Sequence, residues 1–176
     1  PLGRTREYVE IIRKALSGTP VDHQGKFYQM ERFRMISPPV QERLPIYLAS
    51  LGPKNLALTG EVADGWLPVC ANRERLPDLL EQVNQGAATS GRSISDVTIA
   101  PYLMCYTGDT PEDVALGEQL LKAHMAYYIG GMGTFYFESF SRAGFANESQ
   151  KIRGAWNSRD REKAAAAVTD RMLESV

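Results

Sequence analysis

Between Pro45 and Tyr128 the chain switches repeatedly between short apolar runs and stretches with helical spacing, and this alternation constrains the fold most. "PIYLAS" (45–50) is consistent with a fully buried strand. Pro53–Gly60 reads as a short helix with proline in its first turn, where a missing N–H costs nothing. "ADGWLPVC" (63–70) is a turn followed by a second strand. Leu76, Leu79, Leu80 and Val83 give one apolar face to a helix over 73–88, with Asn72 as its cap. "VTIAPYLMCYTG" (97–108) is a third strand, in which Pro101 marks an end, a bulge or a position that the pairing spares. Thr110-Pro111-Glu112-Asp113 opens a helix expected to run to about Tyr128 and stop at Gly130-Gly131. Strands alternating with helices specify an α/β fold with a parallel sheet built from βαβ units.

The flanks add detail. Tyr8, Ile11, Ile12, Ala15 and Leu16 form an apolar stripe on a helix over 4–17, with Gly18 as its stop. Residues 20–30 read as a small hairpin turning at Gln24-Gly25. "ISPPVQERLP" is irregular, because two prolines exclude helix. Beyond residue 133 the pattern is helical only, with helices near 134–142, 147–156, 159–167 and 170–175. Asn157 or Ser158 is the expected cap of the third. A closed barrel needs about eight strands and roughly 250 residues. Three strands therefore leave a small open sheet covered by helices, or part of a larger sheet.

Composition narrows the function classes. The net charge is −1, so no basic excess points to nucleic acid or to anionic lipid. No apolar run approaches the ~20 residues that span a bilayer, and the first residues carry no signal-peptide pattern. Two cysteines make no disulfide framework, and a reducing cytoplasm suits them. The chain begins with Pro1, as expected of a processed chain or a piece of a longer one.

One constellation stands out. Ser50-Leu51-Gly52-Pro53 follows a strand and opens a helix, and Lys54 is next. A helix N-terminus at the C-terminal end of a parallel strand offers free N–H groups and partial positive charge. Ser50 could add a hydroxyl, and Gly52 would let a ligand approach the backbone. The same residues also suit a plain βα turn, and they match neither a P-loop nor a dinucleotide fingerprint. Asp64, before Gly65, reads as a turn residue. Cys70 and Cys105 read as small core filler rather than nucleophiles. His23 and His124 lack partners at metal-ligand spacing, so no metal site is expected. Gly130-Gly131-Met132-Gly133 reads as a helix stop and corner. Phe135, Tyr136, Phe137 and Phe140 suit a core face better than a planar-ligand site. The residues by themselves support an anion site or a turn, and no reaction.

"PIYLASLGPKNLALTGEVADGWLPV" (45–69) resembles the luciferase-like monooxygenase superfamily of flavin- or deazaflavin-dependent oxidoreductases on a (β/α)8 barrel. The preceding "REYVEIIRKALSGTPVDHQGKFYQM" is similar to that family's helix and inserted hairpin, and "YIGGMGTFYFESFSRAGF" resembles members assigned to coenzyme F420. The resemblance implies a partial (β/α)8 barrel over residues 1–176 as one domain fragment, with 20–30 the inserted hairpin and 133–176 a helical segment. Complete members are about twice this length. The stretch would run from the fourth barrel helix through the helices after the seventh strand. Substrate and redox-centre contacts would come largely from the half that is not here. By the same resemblance, the backbone of Ala49, Ser50, Leu51 and Gly52 would hold a cofactor phosphate. Val69, Cys70 and Ala71 would line the cofactor or substrate side. No catalytic residue is assigned, because hydride transfer is the cofactor's own chemistry.

The expected function is therefore F420-dependent hydride transfer to or from a small organic substrate, with this segment alone inactive. FMN-dependent monooxygenation is the alternative within the family. A non-catalytic half-barrel scaffold or interaction module is the alternative outside it. A homodimer suits the family, and no nucleic-acid or membrane partner is expected.

Overall fold

The computed structural model describes residues 1–37 and 39–176. Contacts divide the chain into two compact units: Pro1–Leu67 with Leu79–Ala100, and Pro68–Asp78 with Pro101–Val176.

The first unit opens with helix α1 (Leu2–Leu16), which buries Val9, Ile11 and Ala15. Tyr8 of the expected stripe is instead exposed, because the buried arc is rotated towards Val9. Gly18 takes φ 77°, the left-handed position that ends a helix. Strands β1 (Val21–Gln24) and β2 (Gln29–Phe33) form the antiparallel hairpin, which extends three residues past the expected 20–30. Three amides at its turn bond to one carboxylate of α1. Glu7 accepts from the N–H groups of Lys26 (3.0 Å), Phe27 (3.0 Å) and Tyr28 (3.1 Å). The irregular reading of "ISPPVQERLP" includes Pro38, which lies outside the described residues. Its described neighbours over 34–46 form neither helix nor strand.

Three parallel strands follow, β3 (Tyr47–Leu48), β4 (Gly65–Trp66) and β5 (Thr98–Ile99), in the order β3-β4-β5. Leu48 pairs with Trp66, and Trp66 with Ile99. The regular strands are much shorter than the expected 45–50, 63–70 and 97–108. Between β4 and β5, Pro68 is one reason, since it has no N–H to donate to that ladder. Backbone bonds do continue around Pro101: Ala100 donates to the Trp66 carbonyl and Tyr102 to the Pro68 carbonyl. Pro101 thus sits between two donors, at the position the pairing spares.

Helices α2 (Pro53–Val62) and α3 (Leu76–Ala88) are the crossovers. They cross at two facing glycines. A Cβ on Gly60 would stand 1.8 Å from the Val83 carbonyl oxygen, and one on Gly86 1.8 Å from that of Ala57. Only backbone fits at this contact. Trp66, Leu56, Val83 and Ala87 are fully buried in this unit.

In the second unit, Asn72 caps the turn that leads into α3, its Oδ1 accepting from the Arg75 amide at 3.0 Å. Helix α4 (Pro111–Gly131) starts with a reciprocal capping box between Thr110 and Asp113 and ends at the expected glycine pair. These glycines are small for packing. A Cβ on Gly130 would lie 2.6 Å from Trp156 Cγ. Then come α5 (Phe135–Phe140), a π turn over Ser141–Phe145 with Gly144 at φ 92°, α6 (Ala146–Asn157), α7 (Arg161–Ala166) and α8 (Asp170–Glu174). Asn157 and Ser158 do not cap α7, because α6 runs through the former. Asp160 does so, accepting from the Lys163 amide at 2.9 Å. Met125, Ile129, Phe140, Phe145, Ile152 and Met172 lead the core that joins these helices.

Candidate functional site

The turn after β3 presents backbone groups rather than side chains. Helix α2 has Gly52 as N-cap, in extended geometry (φ −87°, ψ 148°) and without a side-chain cap. The Gly52 carbonyl accepts from Asn55 (3.0 Å) and Leu56 (2.9 Å). Pro53 has no N–H. Among the described residues, the amides of Leu51, Gly52 and Lys54 donate to no group of the protein. The space over Gly52 is open: among the described residues, chain neighbours aside, no atom lies within 4 Å of a Cβ built there. The positive end of a ten-residue helix thus carries, among the described residues, three partnerless donors beside this open space. An oxyanion suits that donor set, and Lys54 lies exposed beside it.

Contrary to the sequence expectation, the Ser50 hydroxyl is not a free donor. Ser50 is buried, and its Oγ lies 2.8 Å from Thr59 Oγ1. Thr59 already donates its own proton to the Asn55 carbonyl at 2.8 Å, so Ser50 donates to Thr59. The Ser50 carbonyl accepts the Trp66 Nε1–H at 2.8 Å. Ala49 is exposed, and Leu51 and Gly52 are half-buried.

Asp64 is more than a turn residue. Its carboxylate accepts from Arg13 (2.7 Å), Arg43 (2.7 Å) and the Ile46 amide (2.8 Å), fixing the entry into β3. Burial pushes its pKa up, but the Ile46 amide and the two guanidinium groups outweigh that and hold it below the ordinary carboxylate value. Asp64-Gly65 alone could not reveal partners so distant in sequence.

The other candidates lie in the second unit. Val69 forms an isolated parallel bridge with Tyr102. Cys70 occupies the left-handed region (φ 53°), unusual for a residue with a side chain. Burial pushes its thiol up to about 11, which opposes a thiolate nucleophile. Val69, Cys70 and Ala71 line a cavity of ≈ 260 Å³ whose other walls include Tyr102, Leu121, His124 and Met125. The His124 ring lies 4.7 Å from that of Tyr128, and its Nε2 is buried without a partner among the described residues. Burial and then neighbouring groups, Cys70 among them, raise the Tyr128 phenol. The aromatic group divides: Phe140 is core, Phe137 lies under the Arg153 guanidinium at 3.9 Å, and Phe135 is exposed. Asp160 is a helix cap, and Asp113 completes the capping box of Thr110. The described residues contain no cluster able to hold a metal and no helix long and apolar enough to cross a membrane.

The chain is similar to known proteins along nearly its whole length. A Mycobacterium tuberculosis protein whose name assigns it to the coenzyme F420-dependent oxidoreductases is 29% identical, over 99% of this chain and 54% of its own length. The 5,10-methylenetetrahydromethanopterin reductase of Methanopyrus kandleri is 28% identical, over 99% of this chain and 49% of its own. The solved structure of the coenzyme F420-dependent tetrahydromethanopterin reductase from Methanopyrus kandleri superposes with a TM-score of 0.81 at 26% identity. It covers 99% of this chain and 49% of that one. The fold is accordingly an α/β fold that corresponds to part of that reductase. The chain spans about half the length of the curated relatives it matches. A family model described as luciferase-like monooxygenase matches residues 1–176, every position of the sequence, and the chain belongs to that family.

Proposed function

We propose that the protein carrying this chain is an F420-dependent oxidoreductase that moves hydride to or from a small organic molecule. In this reading the present segment holds the phosphate end of the cofactor. The observation that carries it is the set of amides at Leu51, Gly52 and Lys54, partnerless among the described residues, at the positive end of α2 beside the open space over Gly52. The relatives' names, which specify coenzyme F420, favour the deazaflavin over FMN. When bound, the cofactor would supply the hydride chemistry. The chain's own residues would bind and orient. The backbone of Ala49 to Gly52 would receive the phosphate, with Lys54 adding positive charge. Val69, Cys70 and Ala71 would shape an apolar wall on the cofactor or substrate side. No side chain of this segment is assigned a proton transfer. Two cysteines without a disulfide suit a reducing, cytoplasmic setting. A homodimer and a single-domain barrel segment over 1–176 belong to the same proposal.

Titration of the protein with F420 and with FMN, followed by fluorescence and calorimetry, tests the cofactor. Tight FMN binding with none of the deazaflavin would overturn the assignment. The Gly52→Asp variant tests the turn, because it puts a carboxylate where the phosphate would sit. Cofactor affinity should fall at least about tenfold, or more than ~1.4 kcal/mol. A folded variant with unchanged affinity would leave the turn a purely structural one.

A further inference from the structure

Behind the proposed phosphate turn lies a buried hydrogen-bonded strap that the binding reading does not use. Trp66 and Thr59 are both fully buried, and both bond to Ser50. A buried indole N–H needs a partner, and Trp66 finds the Ser50 carbonyl at 2.8 Å rather than a group of the ladder. The peptide bond makes this contact directional. It is planar, and no cis peptide occurs among the described residues, so a carbonyl and the following N–H point in opposite directions. The Ser50 carbonyl points inward to Trp66. The Leu51 N–H therefore points away from Trp66, on the side opposite the buried indole. Thr59 fixes the same residue by its side chain. Its Oγ1 accepts the Ser50 hydroxyl proton and donates to the Asn55 carbonyl within α2. Ser50 is thus held at carbonyl and side chain, and its only remaining rigid output is the orientation of the next amide.

We infer that Trp66 and Thr59 are positioning residues for the anion site: they set the direction of the Leu51 amide without touching the ligand. The inference rests on the reading of this turn as the phosphate site. A strap that only stabilised the strand would not care which way the Leu51 N–H points, and that difference is measurable.

The experiment uses the whole chain and inorganic phosphate as the probe. Binding is followed by the amide shifts of Leu51, Gly52 and Lys54 in NMR titrations, alongside a thermal melt. Wild type should bind through those three amides. Thr59→Val preserves shape but removes both bonds, and Trp66→Phe removes the indole donor. Each should weaken phosphate binding about three- to tenfold, the range of one net hydrogen bond, with the largest shift change at Leu51. Thr59→Ser should restore affinity even where it does not restore the melting temperature. If Trp66→Phe does not fold, Ser50→Ala, which removes the hydroxyl bonded to Thr59 and keeps the indole bond, tests the Thr59 half of the strap by the same readout. Folded variants that bind phosphate as wild type does would overturn the positioning role and leave the phosphate site standing. A wild-type chain whose three amides do not respond to phosphate would overturn both.

Discussion

The crossing of α2 and α3 makes a prediction whose sign is unusual. Replacing a helix-interior glycine by alanine ordinarily stabilises a protein, by ~1 kcal/mol of helix propensity. At Gly86 the new Cβ would stand 1.8 Å from the Ala57 carbonyl oxygen, 2.5 Å from its carbon and 2.6 Å from its Cα. A carbon and a carbonyl oxygen in close contact stand about 3.3 Å apart. The helices would have to part by more than ~1 Å, and backbone on the facing side cannot rotate out of the way. Overpacking of this kind costs about 1–3 kcal/mol, sometimes more. With only backbone to yield, the upper end applies. Net of propensity, Gly86→Ala should lose about 2 kcal/mol, and Gly60→Ala, 1.8 Å from the Val83 oxygen, a similar amount. For a chain of this size that is a fall of about 4–8 °C in Tm. Gly154, inside α6 with no atom within 4 Å of its Cβ position, is the internal control. Gly154→Ala should gain about 0.5–1 kcal/mol. Urea unfolding and calorimetry on the three variants decide the matter. Gly86→Ala and Gly154→Ala shifting stability in the same direction would refute the reasoning.

Two further outcomes follow from charge and burial. The Asp64 carboxyl is held below its ordinary value, so its contribution is present above the unfolded pKa of ~3.9 and lost as pH falls through the lower folded one. Asp64→Asn should be about 1–2 kcal/mol less stable at neutral pH, with the gap closing below about pH 4; a gap that persists to about pH 2 would contradict this. Cys70, with its thiol raised to about 11, should resist an aromatic disulfide reagent at pH ~8 while exposed Cys105 reacts. Equal labelling of both thiols in the native state would contradict the assigned burial.

Features encoded locally were legible. The Thr110 capping box, Pro111 at the head of α4, the Asn72 cap and the Gly18 stop each need only a few adjacent residues. Strand length was not legible, because it depends on which proline falls at a donating position, and that is a matter of register with another strand. Gly60 and Gly86 could not be paired from sequence, since their requirement is each other's helix. Asp64 hid its role for the same reason: Arg13 and Arg43 are remote in the chain. Ser50 misled in a particular way. The apolar run 45–50 reads as a fully buried strand, yet Tyr47 and Ala49 are exposed while Ser50 is buried, and its hydroxyl points at Thr59.

Ser50's inward turn also bears on what kind of site the proposed phosphate turn would be. Once its hydroxyl is committed, the donors left at the turn are main-chain N–H groups together with the exposed Lys54 ammonium. A main-chain donor cannot be deleted by substitution; it can only be misdirected. Changes at Leu51 that keep the backbone conformation should therefore matter little. Changes at residues that never approach the ligand should matter more: Trp66 and Thr59 hold the Ser50 peptide, and Gly60 and Gly86 set where α2, and so its N-terminus, lies against α3. Sensitivity to substitution is displaced from the surface of such a site into the core behind it. Gly52 is the exception, because any side chain there enters the open space that a ligand would fill.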